Sequence, residues 1–396
     1  QFVAFSTNDV FQSATAIGKI EPQNIHGIDN LDMVIVYHKN FEKQAKQLST
    51  FRNANGLVTA PILVDQIYNE FSSGATDPTA IRDFAKMLFD RNNQKFKYLL
   101  LFGDGSFDYK GLMNGSSNTN FIPAYETDQS MAPIETYPTD DFYALLTANE
   151  GYESSNGSLK GALDIAVGRL TVTTADEAQD VVDKIIRYES SPSSYGDWRN
   201  RILFVGDDED GNLHTSQING IANKVALRNK VFNQDKIFFD ATIRQVSSGG
   251  ARFPYATEQI NRNIDNGILT INYLGHGGPT AWAQERVLTL NDIFSWTNSN
   301  KLPLFITATC SFSGYDDPSR VSAGEEILLK SNGGAIGLFS TVRPVYAHSN
   351  ERLTLAVFDT IYGRQQNLPM RLGEILRVGK NMNSTDTIDS NARKFT

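Results

Sequence analysis

A single cysteine and a glycine-flanked histidine are the residues of this chain best suited to covalent chemistry. Cys310 is the only cysteine, and His276 lies 34 positions before it, followed by Gly277 and Gly278. An imidazole beside a thiol favours the thiolate, which is the nucleophilic form. The glycines would let a substrate backbone come close, and the amides of Gly277 and Cys310 could then hold an oxyanion. Either residue alone would more simply be a buried cysteine or a backbone-bonded histidine, but together they predict a nucleophilic thiol and its base.

Two apolar runs are predicted to position these residues. Residues 268–274 precede His276, residues 304–307 precede Cys310, and both runs are typical of buried central strands. The stretch 290–294 between them is predicted to be helical, which gives a strand, a crossover and a parallel strand with right-handed connection. Ligands of open α/β sheets bind at the carboxyl ends of the strands, so we expect the thiol and the imidazole to meet there.

Four consecutive acidic residues follow another predicted strand, over 202–205, and therefore lie at a carboxyl end as well. One of these carboxylates could accept a hydrogen bond from His276 and fix its tautomer. Alternatively, Asp208, Asp210 and Asn212 resemble part of a Ca²⁺-binding loop, although no Glu closes it. A solvated acidic turn is the simplest explanation of such a cluster, and the sequence leaves the three open.

An extended match around the histidine resembles the gingipain-type cysteine peptidases, which are caspase-like α/β proteins. It runs from Asn272 to Trp282 and is joined by Ala308-Thr309-Cys310. The earlier segments 23–27 and 206–212 resemble the PorU branch of that family, the sortase of the type IX secretion system. The resemblance extends from about Gln23 to the end of the chain.

The resemblance also implies roles for residues outside the Cys310–His276 pair. It places the family's supporting acid at Asp208, with Asp207 one position away. It places His214 at a position that lines the substrate pocket, where the Arg-specific gingipains carry an acid, so Arg specificity is not expected here. Trp282 and Gly278 would line the same pocket. A solvent-exposed His214 and a core Trp282 are the plain alternatives.

The function implied by the resemblance is that of a cysteine endopeptidase and sortase. It would remove the C-terminal signal of type IX secretion cargo through a Cys310 thioester and could transfer the cargo to a surface glycolipid amine. The alternatives are a secreted hydrolytic protease and a silent cargo-docking scaffold. The expected partners are proteins with a C-terminal secretion signal, a glycolipid acceptor and other type IX components, at the cell surface or outer membrane. No cofactor is required, and a structural Ca²⁺ is the only ion suggested.

Composition excludes several other classes of protein. The chain has 396 residues, of which 40% are hydrophobic and 20% charged, as in ordinary globular proteins. A formal net charge of −9 argues against a nucleic-acid partner. No apolar run approaches the roughly 20 residues of a membrane span. No cluster of Cys and His has the spacing of zinc ligands, so the sequence predicts no zinc site.

The order of predicted elements gives the fold class: α/β and caspase-like, with two adjacent subdomains whose mainly parallel sheets are flanked by helices. We expect a lead-in segment over residues 1–30, an N-terminal α/β subdomain over 31–195 and a catalytic α/β subdomain over 196–396. Within the first subdomain, the runs 139–146 and 163–168 are predicted to form paired strands. Gln1 is not an initiator methionine, so we expect a piece of a longer protein.

Overall fold

Two parallel sheets form the framework of the computed structural model, which describes residues 6, 15–16, 18–91, 95–113, 119–127, 136–152, 159–363, 370–382 and 389–396. Most of the predicted lead-in segment therefore lies outside the described residues. The first sheet has four strands: Met33–Tyr37 (β1), Thr59–Leu63 (β2), Tyr98–Phe102 (β3) and Ala166–Leu170 (β4). They are all parallel, in the order β2-β1-β3-β4. Their helices are Glu42–Ala54 (α1), Val64–Phe71 (α2), Pro78–Arg91 (α3) and Ala175–Ser190 (α4).

Burial on both faces explains why β1 is a continuous apolar run. All five of its residues are buried. Val34 belongs to the same apolar cluster as Phe84 of α3, whereas Ile35 belongs to a second cluster with Leu48 of α1. Alternate side chains of a strand point to opposite faces of the sheet, so helices on both sides demand apolar residues throughout. Such a strand is easily recognised in the sequence because its apolar run is continuous.

The second sheet has five parallel strands, and a small antiparallel sheet and a hairpin accompany it. The strands of this half are Arg201–Gly206 (β5), Asn233–Phe238 (β6), Gln245–Ser247 (β7), Gly250–Arg252 (β8), Thr270–Leu274 (β9), Gly277–Gly278 (β10), Ala281–Trp282 (β11), Leu288–Thr289 (β12), Leu304–Ala308 (β13) and Gly337–Ser340 (β14). The large sheet has the order β14-β13-β9-β5-β6. The small sheet is β10-β11-β12, and β7 pairs with β8. The mainly parallel α/β arrangement predicted from the sequence is therefore observed.

Seven helices are described in this half of the chain: Glu209–Arg228 (α5), Pro254–Asn266 (α6), Leu290–Ser295 (α7), Ala323–Leu329 (α8), Ala347–Tyr362 (α9), Leu372–Met382 (α10) and Ser390–Arg393 (α11). Short 3₁₀ turns occur at Ile25–Gly27, Lys39–Phe41, Asp140–Ala144, Pro192–Ser194, Asp197–Asn200 and Phe239–Ala241. Within the described ranges, none of the helices combines the length and the apolar character that crossing a membrane would require.

The prediction of paired strands over 139–146 and 163–168 is wrong. Asp140–Ala144 is a 3₁₀ turn, capped by the Thr139 hydroxyl that accepts from the Asp141 amide. The later run contributes only to β4, which pairs in parallel with β3. The turn is favoured because it carries the carboxylates of Asp140 and Asp141 inward, where buried cations pair with them. Residues 153–158, between the two runs, lie outside the described residues.

The C-terminal segment contacts both halves of the molecule. Helix α10 packs against α9 and also against β4 of the first sheet. Backbone hydrogen bonds then join the chain end to the edge of the second sheet, from the Thr396 amide to the Ser340 carbonyl at 2.8 Å and from the Val342 amide to the Lys394 carbonyl at 2.9 Å. The segment thus ties the two sheets together, and the domain boundaries at residues 30 and 195 remain predictions.

Candidate active site

Strands β9 and β13 bring the predicted histidine and cysteine to the same edge of one sheet. The two strands are adjacent and parallel, and Leu274 pairs with Ala308 at their carboxyl ends. His276 and Cys310 each lie two residues beyond that pair. On the other side of β9, Gly206 of β5 pairs with the same Leu274, so the acidic run starts beside the histidine loop. The placement on neighbouring strand ends is as predicted.

The cysteine lies at the start of a tight turn. Cys310 is half-buried, and its Sγ is 3.9 Å from the carbonyl oxygen of Val345. Ser311 follows with φ = 54°, a left-handed conformation that non-glycine residues rarely adopt. The Ser313 amide donates to the Thr341 carbonyl at 2.9 Å and so fixes the far end of the turn. A strained residue next to a thiol is a feature often found at catalytic sites.

The backbone of His276 is held firmly while its ring remains accessible. The His276 amide donates to Asp207 Oδ2 at 2.7 Å. Its carbonyl oxygen accepts from the Tyr273 hydroxyl at 2.6 Å and from the Ala283 amide at 2.8 Å. The imidazole itself is 41% exposed. A rigid backbone under an exposed ring suits a group that must exchange protons with a substrate.

The ring nitrogen of His276 contacts neither acid that the sequence suggested. Asp207 is fully buried and accepts from the backbone, and burial raises its pKa although the His276 amide opposes this. Asp208 makes no described hydrogen bond to the ring. The contact belongs to Asp210, whose Oδ2 lies 3.0 Å from His276 Nε2. This hydrogen bond lowers the pKa of Asp210. The supporting-acid prediction is thus corrected to Asp210.

A left-handed turn explains the correction. Asp210, Gly211 and Asn212 have φ values of 57°, 64° and 67°. Gly, Asn and Asp are the residue types that adopt this conformation most readily. The turn folds the Asp210 carboxylate back toward the histidine, whereas Asp208 groups with Asp207 and Glu285. The oxygen ligands suggested for Ca²⁺ therefore diverge between two groups, and calcium binding at this loop remains a prediction.

His214 belongs to the same site. It lies in the part of α5 that follows the left-handed turn and is 6% exposed. Its ring is perpendicular to that of His276, with the ring centres 5.4 Å apart, and its Nε2 lies 3.3 Å from Asp210 Oδ2. Burial lowers the pKa of His214, and the neighbouring His276 lowers it further. The solvent-exposed alternative for His214 is thereby excluded.

The two glycines after the histidine differ in their surroundings. A Cβ on Gly277 would come within 2.5 Å of the Thr309 hydroxyl, so only glycine fits between the two loops. Gly277 opposes Trp282 in the small sheet, and the Ala283 amide bonds to the preceding carbonyl, which makes this a non-hydrogen-bonded pair. The ladder thus leaves the Gly277 amide uncommitted. No atom lies within 4 Å of a Cβ built on Gly278, which therefore faces open space.

The prediction that Trp282 lines a pocket is wrong. Trp282 is completely buried, and its ring stacks on Tyr273 with centres 4.3 Å apart. It belongs to the apolar cluster under the second sheet. The plain alternative, a core tryptophan, is the one observed. By stacking on the tyrosine that holds the His276 carbonyl, it supports the histidine loop from below.

Besides Asp210, Glu209 is a polar neighbour of the histidine that the sequence did not single out. Glu209 Oε2 lies 3.9 Å from His276 Nε2, and Gln284 donates to the Glu209 carboxylate at 3.4 Å. Burial raises the pKa of Glu209. The turn signal Asp-Gly-Asn at 210–212 could have indicated which acid folds back, because the three residue types together favour a left-handed bend.

Comparisons with known proteins agree with this geometry. The sequence profile of peptidase family C25 matches residues 28–396. Gingipain R2 of Porphyromonas gingivalis is 21% identical over 282 residues, which is 71% of this chain and 32% of the relative. Gingipain R1 of the same species is 21% identical over 278 residues, 70% of this chain and 24% of the relative. The chain thus spans at most about a third of the length of these relatives.

Solved structures show the same fold. The Arg-specific cysteine proteinase gingipain R (RGPB) superposes with a TM-score of 0.72 at 19% identity, covering 93% of this chain and 76% of that one. The dimeric latent PorU from Porphyromonas gingivalis gives a TM-score of 0.51 at 25% identity, covering 96% of this chain and 30% of that one. The predicted caspase-like fold, gingipain-type and PorU-like, is confirmed. From the profile match over most of its length, the chain belongs to peptidase family C25.

Proposed function

We propose that this chain is a cysteine endopeptidase domain in which Cys310 is the nucleophile and His276 the acid–base group. The observation that carries the proposal is the register of β9 and β13, which puts both residues two positions beyond one strand pair. The exposed imidazole, the half-buried thiol and the uncommitted Gly277 amide support it. Asp210 is the proposed orienting acid, and the buried Asp207 fixes the loop.

The proposed reaction is an acyl transfer through a thioester. Cys310 Sγ gives its proton to His276 and attacks a peptide carbonyl, whose oxygen takes the negative charge near the Gly277 and Cys310 amides. The C–N bond then breaks, and His276 returns the proton to the leaving amine. Water attacking the thioester gives a protease, whereas a second amine gives a transpeptidase. Both outcomes release the Cys310 thiol.

We further propose the sortase role for this domain. The similarity to PorU over nearly the whole chain supports it. In this role the substrates are exported proteins with a C-terminal secretion signal, the acceptor is a surface glycolipid amine, and the domain works at the cell surface with other type IX components. The buried His214 stands where an acid would select arginine, so the cleaved bond is not expected to follow a basic residue.

Mass spectrometry of the products tests the proposal. The substrate is a reporter protein fused to a C-terminal type IX secretion signal, incubated with and without glycine amide as the amine. A truncated reporter supports the peptidase, and a reporter extended by glycine amide supports the transpeptidase. A reporter truncated only by water in both reactions would overturn the sortase role. An intact reporter, together with no labelling of Cys310 by iodoacetamide, would indicate a silent scaffold and overturn both.

A further inference from the structure

We propose that Asp210, His214 and His276 form a binding site for a divalent transition-metal cation of the Zn²⁺ type. Spacing along the sequence predicted no zinc site, because two ligands lie on the acidic turn and α5 while the third follows β9. The fold brings them together: the carboxylate oxygen and the two ring nitrogens all lie within 4.8 Å of one another. Among the described residues, Asp207, Asp208 and Glu285 form a separate group of carboxylates.

The distances suit a tetrahedral ion. Asp210 Oδ2 lies 3.0 Å from His276 Nε2 and 3.3 Å from His214 Nε2. A tetrahedral centre with bonds of about 2.0–2.1 Å to nitrogen and oxygen separates its ligands by about 3.3–3.4 Å. Two of the three separations are therefore close to the required values. The His276 ring is 41% exposed and can turn to set the third separation, which is between the two ring nitrogens.

An unsatisfied nitrogen points to a missing partner. His214 is more than nine-tenths buried, and its Nε2 has no hydrogen-bond partner among the described residues. The Asp210 oxygen is near it, but the contact is out of hydrogen-bond alignment. Buried polar atoms are nearly always satisfied, so an orphan nitrogen calls for an explanation. A cation shared with Asp210 and His276 would supply that partner.

The ligand types select the class of metal. Two imidazoles and one carboxylate suit zinc and its neighbours, whereas Ca²⁺ and Mg²⁺ prefer oxygen ligands only. Three protein ligands leave a fourth position for water. Cys310 does not belong to the group of ligand atoms, so the proposed site is distinct from a thiolate–metal contact.

The consequence for catalysis is mutual exclusion, and this part rests on the proposed function. A cation on His276 Nε2 withdraws electron density from the ring, so the imidazole accepts the Cys310 proton poorly. Metal and substrate turnover would then compete for one histidine. Zinc would hold the domain in a reversible resting state, and a chelator would release it.

Calorimetric titration with Zn²⁺ tests the site itself. The host is the Cys310→Ala protein, so that the thiol cannot bind the metal, and the comparison variants add Asp210→Asn or His214→Gln. Asp210→Asn is the decisive variant, because the residue is half-exposed and Asn tolerates the same left-handed backbone. We expect one Zn²⁺ per chain and an affinity loss larger than the roughly 10–100-fold that outer-shell changes cost. His26→Gln, in the first half of the chain, is the matched control and should change nothing.

Two outcomes would overturn the site: no Zn²⁺ uptake by the host, or the same affinity in the Asp210→Asn variant. Substitution by Co²⁺ adds a second readout, since a tetrahedral cobalt centre absorbs visible light and His214→Gln should abolish the band. Because the host is inactive by construction, neither result depends on peptidase activity. Inhibition of the wild-type protein by Zn²⁺, reversed by a chelator, then tests the consequence separately.

Discussion

Charged side chains are arranged differently at the junction between the two sheets and at the carboxyl edge of the second sheet, which is the proposed catalytic edge. At the junction, Asp140 pairs with Arg169 at 2.7 Å, and Asp141 pairs with Lys380 at 2.7 Å and Arg393 at 3.3 Å. All five side chains are at most 8% exposed. Other guanidinium donors are satisfied by backbone carbonyl oxygens, among which are the oxygens of Gly161 and Pro123.

The proposed catalytic edge also has charged side chains, but these are not enclosed by the protein. Asp210 is 51% exposed and shares its carboxylate between two imidazoles. Neither Lys nor Arg pairs with Asp210 in the described part of the chain, so its charge is offset only when a histidine or a bound cation is positive. Charged side chains that are enclosed and fully paired thus fix the fold, whereas those that are half-exposed and shared remain available for proton transfer or metal binding.

The largest effect is expected from the thiol. Cys310→Ala should lower turnover by more than about 10³-fold, because nothing else at the edge can form the thioester. The unfolding free energy should change by less than about 1 kcal/mol, since Sγ is half-buried and its described hydrogen bond, to the Val345 carbonyl, is long at 3.9 Å. Peptide cleavage and urea unfolding measure the two quantities.

His276→Ala and the double mutant complete this test. The two losses should fail to add, because both residues serve one proton-transfer unit. If the Cys310→Ala protein lost stability clearly while its cleavage activity stayed unchanged, the thiol would be a core residue. The proposed difference between the edge and the junction would then be wrong.

The opposite pattern is expected at the junction. Asp141→Ala leaves Lys380 and Arg393 as uncompensated buried cations, which typically costs about 3–5 kcal/mol. The exposed pair of Lys86 and Asp90, 2.8 Å apart, gives the matched control. Asp90→Ala should cost about 0–1 kcal/mol. Equal unfolding free energies for the two variants in urea would show that enclosure does not strengthen the junction.

Sequence analysis predicted the framework because buried parallel strands must be apolar on both faces. The strands β9 and β13 were recognisable for that reason. Of the site residues, only those that directly follow a strand could be placed from the sequence. His276 and Cys310 were placed correctly since each directly follows such a run.

The rest depends on contacts that the strand pattern does not encode. Asp210 reaches the imidazole only through three consecutive left-handed residues, so strand alignment pointed to Asp207 and Asp208 instead. Trp282 is buried because Tyr273, nine positions earlier, offers a flat ring to stack on. At Asp140–Ala144 two acids precede three apolar residues, and the pairing of those acids with the distant Arg169 and Lys380 favours a turn over a strand.

Asp207 and Asp210, the two acids that hydrogen-bond to His276, are expected to have different roles. Asp210→Asn should lower kcat about tenfold, less than the roughly 10²–10⁴-fold of losing an acid–base group, and leave KM and stability nearly unchanged. Asp207→Ala should lower the unfolding free energy by about 1–3 kcal/mol, because the His276 amide loses its buried acceptor. Asp208→Asn is the control, since its carboxylate does not contact the ring. A larger kcat loss for Asp208→Asn than for Asp210→Asn would reverse our correction.

A pH-dependent effect is expected at a carboxyl that lies between the two regions. Glu126 is close to Asp316, which pairs with Arg343 and lies six positions after Cys310. Burial and the charge of Asp316 raise the pKa of Glu126 to about 9, from an unfolded value of 4.5. Between these values the folded state holds a proton that the unfolded state has lost. The free energy of unfolding therefore falls as the pH rises, by up to about 1.4 kcal/mol per pH unit.

Glu126→Gln keeps a neutral side chain of the same shape and removes this titration. Relative to wild type, the variant should gain stability steadily from pH 6 to pH 8, as measured by urea unfolding at several pH values. Other titrating groups affect both proteins alike, including Glu325, whose burial raises its pKa to about 7. Glu42→Gln, at an exposed carboxylate paired with Lys46, is the control and should show no such trend. A constant difference between Glu126→Gln and wild type would mean that Glu126 is ionised in the folded state.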